Sequence, residues 1–596
     1  MKPYKAALPL DTVGRIRGIL LDLGLSVSEQ HMGNDSMYYS CRVVIDNDNI
    51  GRFDIGTNGK GMSAEYALAS AYAELMERLE NRMLIYAIKY ASRTFRQQNK
   101  ELHVGFIPEL SFRYFPDETF KEISMDMLWE HCQRILPNVA KYGKAQFYGQ
   151  DTYRMYYADF YNATKKVTEH LPYHLIRLAA SSTGLCAGNV PEEAILQGIN
   201  EIFERYVLQQ IYLQRLTPPT IPWDVFNGTE IQGRLSRLKE EKEWEIMVKD
   251  CSLGKGFPVL GLLIIDRKSN RYTFRLGADL SPVIALQRCF TEAFQGVDAS
   301  DTCLQPICID DDMDICKEHN QSVINGKGRF PHEVFANTPS WKFEGFVLRE
   351  QSSYKEDLCY IKGWLESKGY TLYIRDNSFL GFPAYHVFVP GLSEVDAKLY
   401  DVIADLKANN GGFFKAKPEY RLQSLDTTEK EGLIDKHKHN SSTEVLLFPY
   451  NANTFNRFSR KLMLALLSYS LGRDRDAYTY MDMFLKEKEY AGNTLEAYYY
   501  CVRDMFCAKT FCMTDEEIID SLATIYSGKL VREVLSDMAD RDGILKNFPL
   551  PMCFCCGECP VKDNCSYSTV ICIEQKIQQK QKENSISQSS LGELFL

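Results

Sequence analysis

Three well-separated stretches of this chain place carboxylates, amides and a guanidinium at one recurring spacing. In SAYAELMER these are Ser70, Glu74, Glu77 and Arg78, and in QGINEIFER they are Gln197, Glu201, Glu204 and Arg205. In RCFTEAFQ, Arg288, Glu292 and Gln295 take the first three of the same offsets, and an alanine (Ala67, Ala194, Ala285) stands three residues before each first member. At about 100° per residue such positions fall within an arc of roughly 100° on a helix. In the first stretch Leu68, Tyr72, Leu75, Met76, Leu79 and Met83 fill the opposite arc. One such helix is ordinarily a solvated face with i,i+4 pairs. Three copies at large, uneven intervals are not a solenoid repeat, and they read as three helices that contribute to one site. Glu74, Glu77, Glu201, Glu204 and Glu292 would then crowd together, which is costly unless cations neutralise them. Magnesium suits such a set, because it takes oxygen ligands and is held by a few carboxylates together with substrate phosphates. Glu74, Glu77, Glu201 and Glu204 are its candidate ligands. Arg78, Arg205, Arg288 and Lys60 are candidates for phosphate oxygens. The competing reading is a purely structural network of Glu–Arg pairs between packed helices.

The segments that open these helices are glycine-rich and carry cap signals. GTNGKGMS ends in Ser63 as N-cap, CAGNVPEE gives Asn189 as cap with Pro191 in the first turn, and GADLSP gives Ser281 followed by Pro282. Such openings can turn backbone N–H groups toward phosphate. There is no G-x-x-x-x-G-K-[ST] loop, kinase motif set, G-x-S-x-G elbow or HExxH, and no residue is assigned as catalytic. Residues 1–50 read as helix then strand. Residues 51–415 alternate short apolar strands such as PVLGLLIID, YTFRLGAD, TLYIRD and AYHVFVPG with longer helices, an α/β or α+β construction. Residues 416–545 read as an all-α C-terminal domain, tetratricopeptide-like or a simple bundle. Residues 546–575 form a Cys-rich segment, and residues 576–596 a polar tail expected to be disordered. The 596 residues carry a net charge of −10 and no long basic block, which argues against a direct nucleic-acid partner. The longest apolar run, Pro258 to Ile265, is too short to span a bilayer, and MKPYKAALPLDTVGR lacks a secretory core, so a cytoplasmic protein is expected.

At NGKGMSAEYALASAYAELMERL, GLCAGNVPEEAILQGINEIFERY and IALQRCFTEAFQG the chain resembles the YcaO family. The motifs occur in the family's order, cover its ATP-binding core and, with the helical extension, resemble its stand-alone branch, described as accessory factors for methylthiolation of a small-subunit ribosomal protein. The resemblance implies ATP and magnesium as cofactors and activation of a peptide backbone amide. A nucleophile adds to the amide carbon, the resulting oxyanion takes the γ-phosphoryl group, and phosphate leaves to give an azoline or a thioamide. It implies that Ser70, Glu74, Glu77, Glu201, Glu204 and Arg205 are ATP and magnesium contacts, with Glu292 and Gln295 as similar candidates. Gln287 stands where close relatives have glutamate before Arg288. The proline-rich ending of azoline-forming members is not matched by GELFL, and FPLP at Phe548 to Pro551 is the one proline-rich stretch nearby. The partners implied are ATP, a protein or peptide substrate such as a ribosomal protein, and a radical S-adenosylmethionine enzyme or sulfur donor; a homodimer is compatible. The alternatives are an ATP-binding scaffold that recruits a sulfur-inserting radical enzyme without catalysis of its own, and an azoline- or thioamide-forming enzyme acting on a ribosomal peptide.

Twelve of the 18 cysteines are scattered and read as reduced thiols, whereas CFCCGECPVKDNC groups Cys553, Cys555, Cys556, Cys559 and Cys565. Five cysteines within 13 residues suit a tetrahedral zinc site or an iron–sulfur cluster. The spacing leaves both metals open, and the fourth ligand as well, with redox-active or unliganded thiols as the alternative.

Overall fold

The computed structural model describes residues 5–32, 37–47, 50–51, 54–83, 119–141, 143, 152–295, 305–307, 312–347, 352–395, 422, 425–439, 444–446, 457–490, 495–547 and 567–596. They fall into two compact units, one drawn from Met1–Phe95, Phe112–Ala408 and Ser568–Leu596, the other from Arg96–Ser111 and Asn409–Tyr567.

The first unit opens with helix α1 (Pro9–Leu23) and strands β1 (Val27–Met32), β2 (Tyr39–Ile45) and β3 (Gly56–Gly61), then α2 (Ala64–Glu80). There follow β4 (Thr119–Ser124), α3 (Met125–Ile135), β5 (Thr152–Asn162), β6 (Val167–Leu171), α4 (Tyr173–Ala180), β7 (Leu185–Ala187) and the long α5 (Pro191–Gln214). Next come α6 (Glu230–Lys242), β8 (Glu245–Asp250), β9 (Val259–Asp266), β10 (Arg271–Ala278), α7 (Pro282–Ala293), β11 (Gln305–Pro306), α8 (Ile315–Asn325), α9 (Tyr354–Ser367), β12 (Tyr373–Asp376) and β13 (Ala384–Phe388). The strands build three sheets, ordered β1-β2-β3, β11-β10-β9-β8, and β4-β5-β12-β13-β7 with β6 on β5. Every pairing in them is antiparallel, so of the two constructions the sequence allowed, α+β is the one adopted.

The run expected as a buried strand is β9, and both of its faces are covered. Val259, Leu263 and Ile265 enter a core shared with Ile195, Ile199 and Phe203 of α5. The alternate residues Leu260, Leu262 and Ile264 enter another, shared with Leu235 of α6 and Leu286 and Phe290 of α7. A period of two explains why a continuous apolar run here serves two cores.

The second unit is mainly helical, with α10 (Thr427–His437), α11 (Arg460–Ser470), α12 (Asp474–Tyr490), α13 (Ala497–Thr510), α14 (Asp515–Leu522) and α15 (Gly528–Met538). A two-stranded ribbon, β14 (Glu444–Leu446) with β15 (Arg457–Ser459), stands between the first two helices. The described residues of the C-terminal region thus carry several helices, with the ribbon as the departure from the all-α reading.

The tail expected to be disordered is ordered and belongs to the first unit. Residues Tyr567–Glu583 form α16, and Gln588–Phe595 a 3-10 helix. Ile573, Ile577 and Leu591 are buried, Phe595 stacks on Tyr161 at 6.4 Å, and Gln588 exchanges two hydrogen bonds with the backbone of Asp376. Composition misled here because a few well-placed apolar side chains and specific amide contacts suffice when the rest of the surface already exists.

Candidate functional site

The recurrent alanines are where each helix touches the backbone that precedes it. A Cβ at Gly59 of β3 would stand 1.9 Å from the carbonyl oxygen of Ala67, and one at Gly277 of β10 would stand 2.5 Å from that of Ala285. Gly188 makes the equivalent approach to Ala194, whose nitrogen a Cβ would meet at 3.0 Å. Glycine facing alanine lets helix and backbone meet without intervening side chains. All three alanines are buried. Each close contact fixes the rotation of its helix, and the polar residues three, seven and ten positions later consequently face one cavity.

That cavity has a volume of about 740 Å³, and all 12 residues singled out from the sequence line it: Lys60, Ser70, Glu74, Glu77, Arg78, Gln197, Glu201, Glu204, Arg205, Arg288, Glu292 and Gln295. Gln287 is not among the lining residues. Side-chain contacts join the elements around the rim. Arg288 of α7 donates to the Gln197 side chain of α5, and Lys60 of β3 pairs with Glu292 of α7. The Gln295 amide donates to the Asn58 carbonyl at 2.8 Å. Within α2, Arg78 lies 3.2 Å from Glu74 and 3.1 Å from Glu77. Arg205 donates to the Val323 carbonyl at 3.3 Å, and Glu201 accepts from the Gly184 N–H at 3.2 Å.

Of the expected caps, Ser63 holds in full, Ser281 holds by position alone, and the third is corrected. The Ser63 hydroxyl accepts from the Tyr66 N–H, and Ser281 is the cap residue of α7, though its side chain makes no capping bond. The cap residue of α5 is Val190, not Asn189, with Pro191 next. Asn189 lies one residue too early to reach the first helical N–H groups. Its side chain instead accepts from the Thr12 hydroxyl at 2.7 Å, and its own N–H donates to Glu193 at 3.4 Å.

Burial raises the Glu77 carboxyl well above the usual carboxylate range, with the charges of Glu201 and Glu74 adding to it against the opposing Arg78. Burial raises Glu201 too, with Glu204 adding and Arg205 and Arg78 opposing. Burial lowers Lys60 to about 8, assisted by Arg288 and opposed by Glu204. Such shifts mark uncompensated charge around a desolvated space. The buried Nε atoms of Arg205 and Arg288 have no hydrogen-bond partner among the described residues. The wall therefore offers anionic oxygens that want a cation and guanidinium donors that want an anion. Oxygen donors of this kind suit Mg²⁺ and not a thiophilic metal. Among the described residues no three His, Cys, Asp or Glu side chains group closely enough to hold a metal ion alone.

Several lining residues escaped the sequence reading. Lys5, Ala7, Pro9 and Thr12 come from the N-terminal segment, Glu193 from the first turn of α5, and Ser181 and Ser182 from the turn after α4, while Asn189, read from the sequence only as a cap, lines the cavity too. Lys5 pairs with Glu193 at 3.2 Å. Ser181 holds a φ of 53°, unusual for a residue other than glycine. Lys5, Ser181 and Ser182 lie outside helices and carry no helical period, whereas Pro9 and Thr12 lie on α1 and Glu193 stands on α5 four residues before Gln197. Cys553, Cys555, Cys556, Cys559 and Cys565 lie outside the described residues, and the described cysteines are all free thiols. No described helix is long and apolar enough to cross a membrane.

Residues 58–393, more than half of the chain, match a family model described as YcaO cyclodehydratase, ATP- and Mg2+-binding. The chain is 24% identical over 404 residues, 66% of each chain, to the ribosomal protein S12 methylthiotransferase accessory factor YcaO of Escherichia coli. It is 25% identical over 350 residues, 57% of each chain, to an uncharacterised protein of Haemophilus influenzae. It thus spans under two thirds of the length of these curated relatives. Among solved structures, YcaO from Methanopyrus kandleri bound with AMPPCP and Mg2+ aligns with 66% of this chain and 93% of its own at 16% identity, with a TM-score of 0.41.

Proposed function

This chain belongs to the YcaO family, and from that premise we propose that it binds ATP with magnesium in the cavity between α2, α5 and α7 and activates a backbone amide by phosphorylation. The observation that carries this reading is the convergence of all 12 polar residues from separate segments on one cavity of about 740 Å³. Glu74, Glu77, Glu201 and Glu204 are the candidates to hold magnesium together with the phosphates, whose charge the ion would neutralise. Arg78, Arg205, Arg288 and Lys60 supply fixed cationic donors at the same wall, and Ser70, Gln197 and Gln295 neutral hydrogen bonds. The γ-phosphoryl group passes to the oxygen of an amide already attacked by a nucleophile, which converts a poor leaving group into phosphate. The protein's part is to position the reactants and neutralise their charge. The identity to the E. coli protein supports the further reading that the substrate is a ribosomal protein and that the chain acts as an accessory factor in its methylthiolation.

Calorimetric titration with Mg-ATP and an ATP-turnover assay test this on the full chain. Wild type is expected to bind, and Glu77→Gln and Glu204→Gln to weaken binding by at least about tenfold, equivalent to ~1.4 kcal/mol, and to abolish turnover. Variants that bind and turn over as wild type does sink the proposal. Binding without turnover, with or without partner proteins, would replace amide activation by the scaffold role.

A further inference from the structure

Helix α2 carries Glu74, Glu77 and Arg78 into the cavity, and its last turn is pinned from behind by two distant segments. One is the turn 376–382. The Leu380 N–H donates to Glu80, which is fully buried, at 2.9 Å, and Asn377 donates to Asn81 at 2.8 Å. The Asn81 amide in turn donates to the Glu77 carbonyl at 3.0 Å. The same turn carries Phe382 into the cavity wall. The other segment is the C-terminal one. Glu574 of α16 pairs with Arg82, at side-chain exposures of 2% and 5%.

The C-terminal segment also holds the turn. Gln588 accepts from the Asp376 N–H at 2.7 Å and donates to its carbonyl at 3.0 Å, and Asn584 donates to the Phe379 carbonyl at 2.7 Å. Farther along, Lys580 pairs with Asp22 of α1 at 2.9 Å. None of residues 567–596 lines the cavity. Their contacts nevertheless meet both structures whose position fixes Glu77 and Phe382, across nearly 500 residues of sequence.

We propose that the C-terminal segment is a clamp that holds α2 and the 376–382 turn in the arrangement that binds nucleotide, so that docking of the segment and occupancy of the cavity are energetically coupled. This rests on the reading of the cavity as a Mg-ATP site. Glu574, Asn584 and Gln588 are positioning residues, since they act through Arg82, Phe379 and Asp376. Coupling of this kind is reciprocal: what the clamp adds to nucleotide affinity, nucleotide returns as tighter docking of the clamp.

Two measurements on the full chain test it. In Mg-ATP titrations, Glu574→Gln and Gln588→Ala are expected to raise Kd about tenfold, and the exchanged pair Arg82→Glu with Glu574→Arg to recover most of the loss. In hydrogen exchange, Mg-ATP is expected to slow the amides of 567–583 in wild type and to do so less in Glu574→Gln. Wild-type binding by both single variants, or exchange in 567–583 that ignores Mg-ATP while the ligand binds, overturns the clamp. A loss in Glu574→Gln that the exchanged pair does not restore also counts against it. Failure of the wild type itself to bind Mg-ATP overturns the reading of the cavity.

Discussion

Glu77 and Glu201 face the same desolvated space from two helices, and burial holds both carboxyls above their ordinary value of 4.5. A carboxyl raised on folding binds more protons in the folded chain than in the unfolded one above pH 4.5. Stability in the absence of ligand is therefore lost as pH climbs through the window between 4.5 and the raised value. Glu77→Gln removes that linkage, and urea unfolding of the ligand-free protein between pH 5 and pH 8 is expected to show a shallower fall of stability with pH than wild type does. A slope equal to that of wild type would mean that Glu77 titrates as an exposed carboxyl does. Such a variant would be steadier and at the same time a poorer nucleotide binder, as expected where charge is stored for a ligand. Lys60 gives the opposite limb. Burial lowers it to about 8, so its positive charge is lost above that pH. Mg-ATP affinity is expected to weaken as pH rises through about 8, by up to about tenfold per pH unit. Lys60→Arg, which stays charged, should flatten that limb; a limb unchanged in Lys60→Arg would place the titration elsewhere.

At the scale of elements, the three site helices are set by glycine–alanine contacts more than by their polar faces. Gly59→Ala forces a methyl against the Ala67 carbonyl, and Gly277→Ala against that of Ala285. Both are expected to destabilise the protein by about 1–3 kcal/mol and to weaken Mg-ATP binding through rotation of α2 or α7. Gly14→Ala is the control. It lies on the exposed face of α1 with nothing within 4 Å, and urea unfolding should show it stabilised by about 0.5–1 kcal/mol. Unchanged stability and binding in Gly59→Ala would remove the close approach as the cause of helix placement. The same contrast shows why some elements were legible and others were not. Ser70, Glu74 and Glu77 recur at helical spacing, and that spacing alone predicts a shared face; the strands of β9, β10, β12 and β13 were equally plain from their apolar runs. Lys5, Ser181 and Ser182 sit in turns or extended chain, where no period marks them. Asn189 carried a cap signal one residue out of place, because Val190 supplies the extended backbone that starts α5. Residues 576–596 were read as a disordered tail because the partners of Gln588 and Asn584, Asp376 and Phe379, lie about 200 residues away. Only Ile573 and Ile577, one helical turn apart, hinted at a buried stripe.

At the scale of the whole molecule, the division of the chain separates ligand response from the rest. All 12 site residues and residues 568–596 belong to the first unit, while the helices from α10 to α15 form the second, which comes between them in chain order. A ligand that binds only the folded first unit stabilises it by RT ln(1 + [L]/Kd), about 2.7 kcal/mol at a hundredfold excess over Kd. For a unit of this size a gain of that order moves the midpoint by several degrees. Scanning calorimetry of the full chain is therefore expected to resolve two transitions, of which Mg-ATP raises one and leaves the other in place. In Glu204→Gln the shift should be about halved or less at the same ligand concentration, since a tenfold weaker Kd leaves about 1.4 kcal/mol of stabilisation. A single transition that shifts as a whole would show the two units to unfold as one cooperative block, and nucleotide binding would then stabilise the helical unit along with the core. Two fixed transitions in a wild type that binds Mg-ATP by titration would mean that the ligand meets folded and unfolded chain alike, which a cavity assembled from three distant helices does not permit.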